Sequence, residues 1–95
     1  MFELKVNFLS LLEDLIGFDS VNIFLDEHST VKDMLEKLTQ KFGKKFQRNI
    51  LNSTNELNKY IILGINGKDI RSLDNLNTII GENDEISFLP AIAGG

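Results

Sequence analysis

The stretch "TVKDMLEKLTQKFG", Thr30 to Gly43, decides the fold. Val31, Met34, Leu35, Leu38 and Phe42 recur at helical spacing and form one apolar stripe, with charged and amide side chains on the other faces. Thr30 is placed to be the N-cap, and Asp33 sits where its carboxylate can meet the free amides of the first turn. Gly43 follows as an expected left-handed cap. No other stretch reads as a long helix, so the stripe must be hidden against one face of a single sheet.

Before the helix, "MFELKVNFL" places Phe2, Leu4, Val6 and Phe8 on one side of a strand, with Glu3, Lys5 and Asn7 on the other. "SLLEDLIG" then suggests a helix of under two turns. Ser10 and Glu13 have the spacing of a capping box, and Gly17 is a natural terminator. "VNIFL", Val21 to Leu25, reads as a second strand with Val21, Ile23 and Leu25 on one side. So short a connection implies an antiparallel pair.

Beyond the helix, "KKFQRNILNSTNELNK" reads as the least regular segment, pinned by Phe46, Ile50 and Leu51, with "NSTN" as a turn. Ile61, Leu63 and Ile65 then alternate along a strand, and Asn66-Gly67 is a strong hairpin signal because both residues tolerate positive φ. "LDNLNTIIGEND" reads as a loop with one helical turn, held by Leu73, Leu76 and Ile79 or Ile80. "EISFLP" is the last strand, with Ile86 and Phe88 inward and Pro90 ending the ladder.

This order predicts an α+β, β-grasp (ubiquitin-like) fold. Its mixed sheet has four to five strands, one main helix packs on one face, and the first and last strands lie parallel at the centre. Residues 1–90 would form the domain and residues 91–95 a flexible C-terminal tail. A chain of 95 residues with 42% apolar content supports one such core.

Composition excludes several chemistries. There is no cysteine, hence no disulfide, thiolate metal site or cysteine nucleophile. The single histidine, His28, has no metal-ligand spacing around it and reads as a solvated loop residue. A net charge of −4 argues against a nucleic-acid partner. The local exception is Lys41, Lys44, Lys45 and Arg48, read either as cations favoured near a helix end or as a docking patch for an acidic partner. Asn52-Ser53-Thr54 matches the glycosylation sequon, which means nothing without a secretory signal. No stretch suits a bilayer span, "MFELKVNF" alternates unlike a signal peptide, and a cytoplasmic protein is expected.

The ending "FLPAIAGG", Phe88 to Gly95, is not explained by any of this. A frayed terminus is usually polar, whereas this one stays apolar up to two glycines. Together with "VNFLSLLEDLIG" and the late "NG" turn, "GENDEISFLPAIAGG" resembles the MoaD/ThiS family of ubiquitin-like sulfur carriers, most nearly the small subunits of molybdopterin synthase. Members carry the ending G-D-E-[VI]-x-[FL]-[FL]-P-x-[VA]-[AS]-G-G, and this chain has "NDEISFLPAIAGG". Asn83 stands for the usual glycine, a departure that left-handed tolerance of Asn would accommodate.

The resemblance covers the whole chain and implies a chemistry. The carboxylate of Gly95 attacks the α-phosphate of ATP inside an E1-like adenylating partner (MoeB/ThiF-like), giving an acyl adenylate. A persulfide or similar donor then displaces AMP and leaves a thiocarboxylate, and a large synthase subunit (MoaE-like) uses it on the pterin precursor of molybdenum cofactor. ATP and the sulfur donor act through the partner; the chain itself binds no cofactor or metal and turns nothing over alone. Pro90, Ile92, Ala93 and Gly94 would thread the partner's channel, the glycines letting its walls approach the backbone.

Two other functions stay open. The same adenylated glycine could be captured by lysines of target proteins, making the chain a protein modifier, or could supply sulfur to tRNA. Alternatively, the chain is a plain β-grasp binding module whose tail is never activated. From the strand alternation, Leu9, Ile62 and Leu89 should face away from the helix as an apolar partner-binding patch beside the tail root. They could instead be scattered surface residues or be covered by the 44–59 segment.

Overall fold

The computed structural model describes residues 1–91. Strand β1, Phe2–Phe8, buries Phe2, Leu4, Val6 and Phe8 and exposes Glu3 and Lys5, so its alternation sets which face meets the core. Strand β2, Ser20–Leu25, pairs antiparallel with it. Val21, Ile23 and Leu25 stand opposite Val6, Leu4 and Phe2 on the same inward face. Between them lies α1, Leu11–Ile16, with Leu12 and Ile16 buried and Gly17 in the left-handed conformation at φ 95°.

The expected Ser10–Glu13 capping box does not form. Leu9 donates its N–H to the Phe88 carbonyl (2.9 Å), so the chain must turn sharply out of the sheet at Ser10, which takes φ 58° and makes no side-chain cap bond. Backbone groups close the turn instead, Leu12 N–H to Leu9 O at 3.1 Å and Glu13 N–H to Ser10 O at 3.2 Å.

The main helix α2, Val31–Phe42, starts as its sequence predicts. The Thr30 hydroxyl accepts from Asp33 N–H (3.3 Å) and Asp33 accepts from Thr30 N–H (2.9 Å), a reciprocal capping box. Val31, Met34, Leu35 and Leu38 are buried and Phe42 half-buried.

Its end differs from the expectation. Gly43 has φ 70° but ψ −142°, not the left-handed cap, because it serves two helices. Its N–H bonds Thr39 O (2.7 Å) and its carbonyl accepts from Gln47 N–H (3.2 Å), opening α3, Lys44–Ile50. The first part of the segment read as irregular is therefore helical, and a second helix joins the main one. Phe46 and Ile50, one turn apart, are its buried face. Phe46 inserts among Phe8, Phe42 and Phe88, its ring meeting the Phe88 ring edge-on at 5.9 Å and 88°. Each fully buried aliphatic or aromatic side chain of this kind stabilises by roughly 1.5–3 kcal/mol. The "NSTN" turn follows as expected, closed where Asn52 Oδ1 accepts from the N–H groups of Thr54 and Glu56.

Strand β3, Ile61–Ile65, and the short β4, Lys68–Asp69, join through Asn66 (φ 54°) and Gly67 (φ 83°), the left-handed pair a tight hairpin turn requires. Residues 70–80 carry two 3₁₀ turns, Ile70–Ser72 and Asn75–Asn77, rather than one helical turn. Ile80 is buried and Ile79 exposed, since the bridge between Thr30 and Ile79 extends the backbone there. Leu73, expected as an anchor, is 39% exposed; its N–H closes the first turn on Ile70 O while Ile70 fills the core.

Strand β5, Ile86–Pro90, inserts between β1 and β3, giving the order β2-β1-β5-β3-β4. It runs parallel to β1 and antiparallel to β3. The fold is thus a β-grasp, with a five-stranded mixed sheet and its helical layer on one face. The turn before β5 is held by side chains. Asn66 donates to Asp84 (2.9 Å) and accepts from Glu85 N–H (2.8 Å), while Asp84 accepts from Gly81 N–H (2.7 Å). Asn83 is not among the residues of positive φ, so the left-handed tolerance expected of it is not used.

Candidate functional site: the root of the C-terminal tail

Because β5 lies between two neighbours, the last described residues are fixed from both sides. On the β1 side Leu9 N–H bonds Phe88 O at 2.9 Å; on the β3 side Ala91 N–H bonds Tyr60 O at 2.7 Å. Pro90 stands opposite Ile61 inside the strand, and the ladder continues one residue past it, contrary to the expectation that proline ends it. Backbone groups of successive strand residues point to opposite sides. With Phe88 O aimed at β1 and Ala91 N at β3, the position of the missing Pro90 N–H faces β1, beyond that strand's end. Proline therefore sits where the sheet has no acceptor left to offer, and it bars further pairing on that side.

Parallel register gives the root its second feature. Phe8 is level with Phe88, so β1 turns into α1 at the height where β5 gives way to the tail. One bank of the root is α1, which packs against β5; the other is Tyr60, 57% exposed with Lys59 Nζ 5.1 Å from its ring centre. Gly95, Gly94, Ala93 and Ile92, the reacting and threading residues expected from the sequence, lie outside the described residues.

The expected patch is brought together in part. Ile62 and Leu89 are direct cross-strand partners on the sheet face away from the helices. Both are half-exposed, and Leu9, beside them at the end of β1, is 43% exposed. The rest of that face is polar along its centre, with Lys5, Asn7 and Ser87, Asn7 donating to Ile86 O at 3.1 Å. Segment 44–59 does not mask the patch through its helix, since α3 sends Phe46 into the opposite, inward face.

Sequence reading missed three exposed apolar side chains at the root: Leu11 (64%), Leu15 (45%) and Tyr60. The signal was present for two of them. Leu11 and Leu15 make one four-residue step on α1, and Leu12 and Ile16 another. So short a helix has one inward face, which Leu12 and Ile16 fill.

The cationic cluster divides between elements. Lys41 lies in the last turn of α2 and Arg48 in that of α3, both favourable for a cation. Lys44 and Lys45 instead open α3, at the wrong end for that explanation. Lys45 reaches across to α1, whose end is Gly17; a Cβ built there would lie 3.8 Å from the Lys45 ammonium.

An open cleft of about 1010 Å³ lies elsewhere, over Leu35, Leu51 and Leu76 with Gln40, Asn75 and Asn77 on its rim. None of its lining residues comes from α1, β5 or residues 60–62. The described residues hold no group of three or more His, Asp or Glu side chains that could grip a metal. At the root the described residues end in a strand held by backbone bonds on both sides, with exposed apolar side chains on its banks.

Residues 6–95 match the ThiS family. An Archaeoglobus fulgidus protein assigned as a sulfur carrier is 35% identical over 69 residues, 73% of this chain and 77% of the relative. Small archaeal modifier protein 3 of Haloferax volcanii is 27% identical over 93 residues, 98% of this chain and 99% of its own. The solution structure of small archaeal modifier protein 1 from Methanosarcina acetivorans superposes with a TM-score of 0.81 at 31% identity, covering 100% of this chain and 98% of that one. The fold, the pinned tail root and these relatives lead to one conclusion: the chain belongs to the ThiS family of ubiquitin-like sulfur carriers.

Proposed function

We propose that the carboxylate of Gly95 is the reacting group of a cytoplasmic sulfur carrier and that the body serves to hold that group at a fixed reach. The single observation that carries the reading is the two-sided pinning of Phe88 and Ala91 immediately before an apolar, glycine-ended arm. A carboxylate is a poor acyl donor because its leaving group would be oxide. An E1-like adenylating partner (MoeB/ThiF-like) supplies ATP, the carboxylate oxygen attacks the α-phosphorus, and pyrophosphate leaves. The sulfur of a persulfide then attacks the acyl carbon and expels AMP; a thiol cleaves the resulting acyl disulfide to the thiocarboxylate. Electrostatic stabilisation of the phosphates belongs to the partner, and this chain alone turns nothing over.

The acceptor we favour is the pterin precursor of molybdenum cofactor, with the chain acting as the small subunit beside a MoaE-like large subunit. A second reading has its own support, because the relatives similar over nearly the whole chain include two named as modifiers. In that reading a lysine amine attacks the acyl adenylate and forms an isopeptide bond.

Intact-mass spectrometry separates the two. Incubated with ATP, an E1-like adenylating enzyme and a persulfide donor, the chain should gain the mass of one sulfur-for-oxygen exchange. A ladder of lysine conjugates in cell extract without that exchange would favour the modifier, and neither product would leave a binding module only.

Leu9, Ile62 and Leu89 serve in this proposal as the apolar contact for both partners. Leu89→Asp should weaken binding to the adenylating enzyme and to the large subunit at least tenfold, as expected for a charge placed in a desolvated contact. Because Leu89 is already half-exposed, the melting temperature should hold. Equal titration curves for wild type and variant with both partners would remove the patch from the proposal.

A further inference from the structure

We propose that the outward face of α1, Leu11 and Leu15, is a second apolar contact for the adenylating enzyme, beyond the Ile62–Leu89 pair on the sheet. That enzyme meets the face with apolar side chains rimmed by cations. The inference rests on the sulfur-carrier reading above. Its first support is the distribution of exposed apolar surface. Leu9, Leu11, Leu15 and Phe18 are 43%, 64%, 45% and 56% exposed, and all four come from one short stretch around α1. The fold does not require this, since Leu12 and Ile16 already dock the helix. Scattered apolar side chains need no account, but Leu11 and Leu15, neighbours one turn apart on the same helix face, make a paired apolar surface of the kind that marks a contact.

Reach supplies the occupant. From Ala91 to Gly95 the chain can span at most about 14 Å when fully extended. A partner that encloses the reacting carboxylate must therefore come close to the body around the root. An ordinary interface covers about 800 Å² on each partner, a disc of radius about 16 Å. Helix α1 is only about 9 Å long; it follows closely on Phe8, which is level with Phe88, and packs against β5. A footprint centred on the root thus covers α1 on one bank and the exposed Tyr60 ring on the other. Glu13 and Asp14 on α1, with Asp19 just beyond it, are exposed, and none is in an ion pair among the described residues. An apolar centre with an acidic margin fits a partner patch of opposite margin.

The test uses the full chain and measures ATP–pyrophosphate exchange by a purified E1-like adenylating enzyme as the carrier concentration is varied. Leu11→Lys with Leu15→Lys keeps helix propensity while placing cations against the proposed patch. The pair should raise the KM for the carrier at least tenfold and leave kcat within about twofold. Glu13→Lys with Asp14→Lys should raise KM several-fold. A folded Leu11/Leu15 variant with wild-type KM overturns the proposal, and wild-type KM in the Glu13/Asp14 variant overturns its cationic rim. If the lysine pair melts lower than wild type, Leu11→Ser with Leu15→Ser takes its place under the same criterion. Sedimentation that shows the free chain as a dimer, broken by the same substitutions, would assign the face to a second copy and overturn the proposal. No exchange with wild type at any concentration would instead sink the sulfur-carrier reading itself, so the two failures are distinct.

Discussion

A chain lacking Gly95 should lose at least about a hundredfold in kcat/KM for adenylation, measured by pyrophosphate exchange, with no change in melting temperature. The new terminus, Gly94, still offers a carboxylate, so the chemistry of the group is unchanged and only its position moves. Removing one extended residue withdraws it by about 3.5 Å. A displacement of about 1 Å from a reactive geometry can already reduce the rate about a hundredfold. The arm cannot recover the loss by sliding. Its root is held by the Leu9–Phe88 and Ala91–Tyr60 backbone bonds, and freeing a residue would break the latter. Moving the whole body forward would separate the apolar surfaces proposed to dock it. Stability should be indifferent, because the core is complete by Ile86 and Phe88. Gly94→Val is the companion variant: it keeps the length but puts a branched Cβ where the channel walls approach, and it should lose activity comparably. Exchange at the wild-type rate in the truncated chain would show that the fixed reach of the terminal carboxylate does not set the rate.

Elements whose own period matched their burial were legible in the sequence. Alternation in β1, β2 and β3, the helical stripe and Thr30 cap of α2, and the Asn66-Gly67 turn each carry a local signal that the packing reinforces. They suffice to fix a sheet covered by a helix, and from that the central parallel pair. What escaped depends on neighbours distant in sequence. Ser10 gives up capping because Phe88 holds Leu9 in the sheet. Helix α3 has only two inward residues in seven, too few for periodicity to declare itself, and its helicity is secured by Phe8 and Phe88 receiving Phe46. Lys44 and Lys45 stand at an unfavourable helix start, and Lys45 is directed instead toward the end of α1.

The candidate site divides in the same way. The arm is a linear feature, so "FLPAIAGG" could be read directly. The Ile62–Leu89 pair was recoverable because strand parity fixes a face once the core face is known. The spacing of Leu11 and Leu15 on α1 was a local signal, whereas the position of α1 and Tyr60 beside the root follows from a register that brings the end of β1 level with Phe88.

Phe46→Ala should be the most destabilising single substitution outside the strands, lowering unfolding free energy by roughly 3–5 kcal/mol. The ring is fully buried and has aromatic neighbours on three sides: Phe8 at 6.5 Å, Phe42 at 6.4 Å and Phe88 at 5.9 Å. Truncation removes the transfer term and leaves a void among three rings that cannot all move inward, since Phe8 and Phe88 are tied into adjacent central strands. Domains of this size are stable by about 5–15 kcal/mol in total, so the loss is a large share, and the melting midpoint should fall by roughly 15–30 °C. Phe42→Ala is the control. Phe42 is only half-buried, and its loss should be clearly the smaller. Urea denaturation of the three proteins decides the matter. A loss below about 1 kcal/mol for Phe46→Ala would mean that α3 rests on the surface as a detachable segment. The predicted loss would make it part of the core. Helix α3 also packs against α1, so the same substitution should loosen one bank of the tail root as it loosens the core. In conditions where the variant remains folded, its KM for the adenylating enzyme should therefore rise while that of Phe42→Ala stays near wild type.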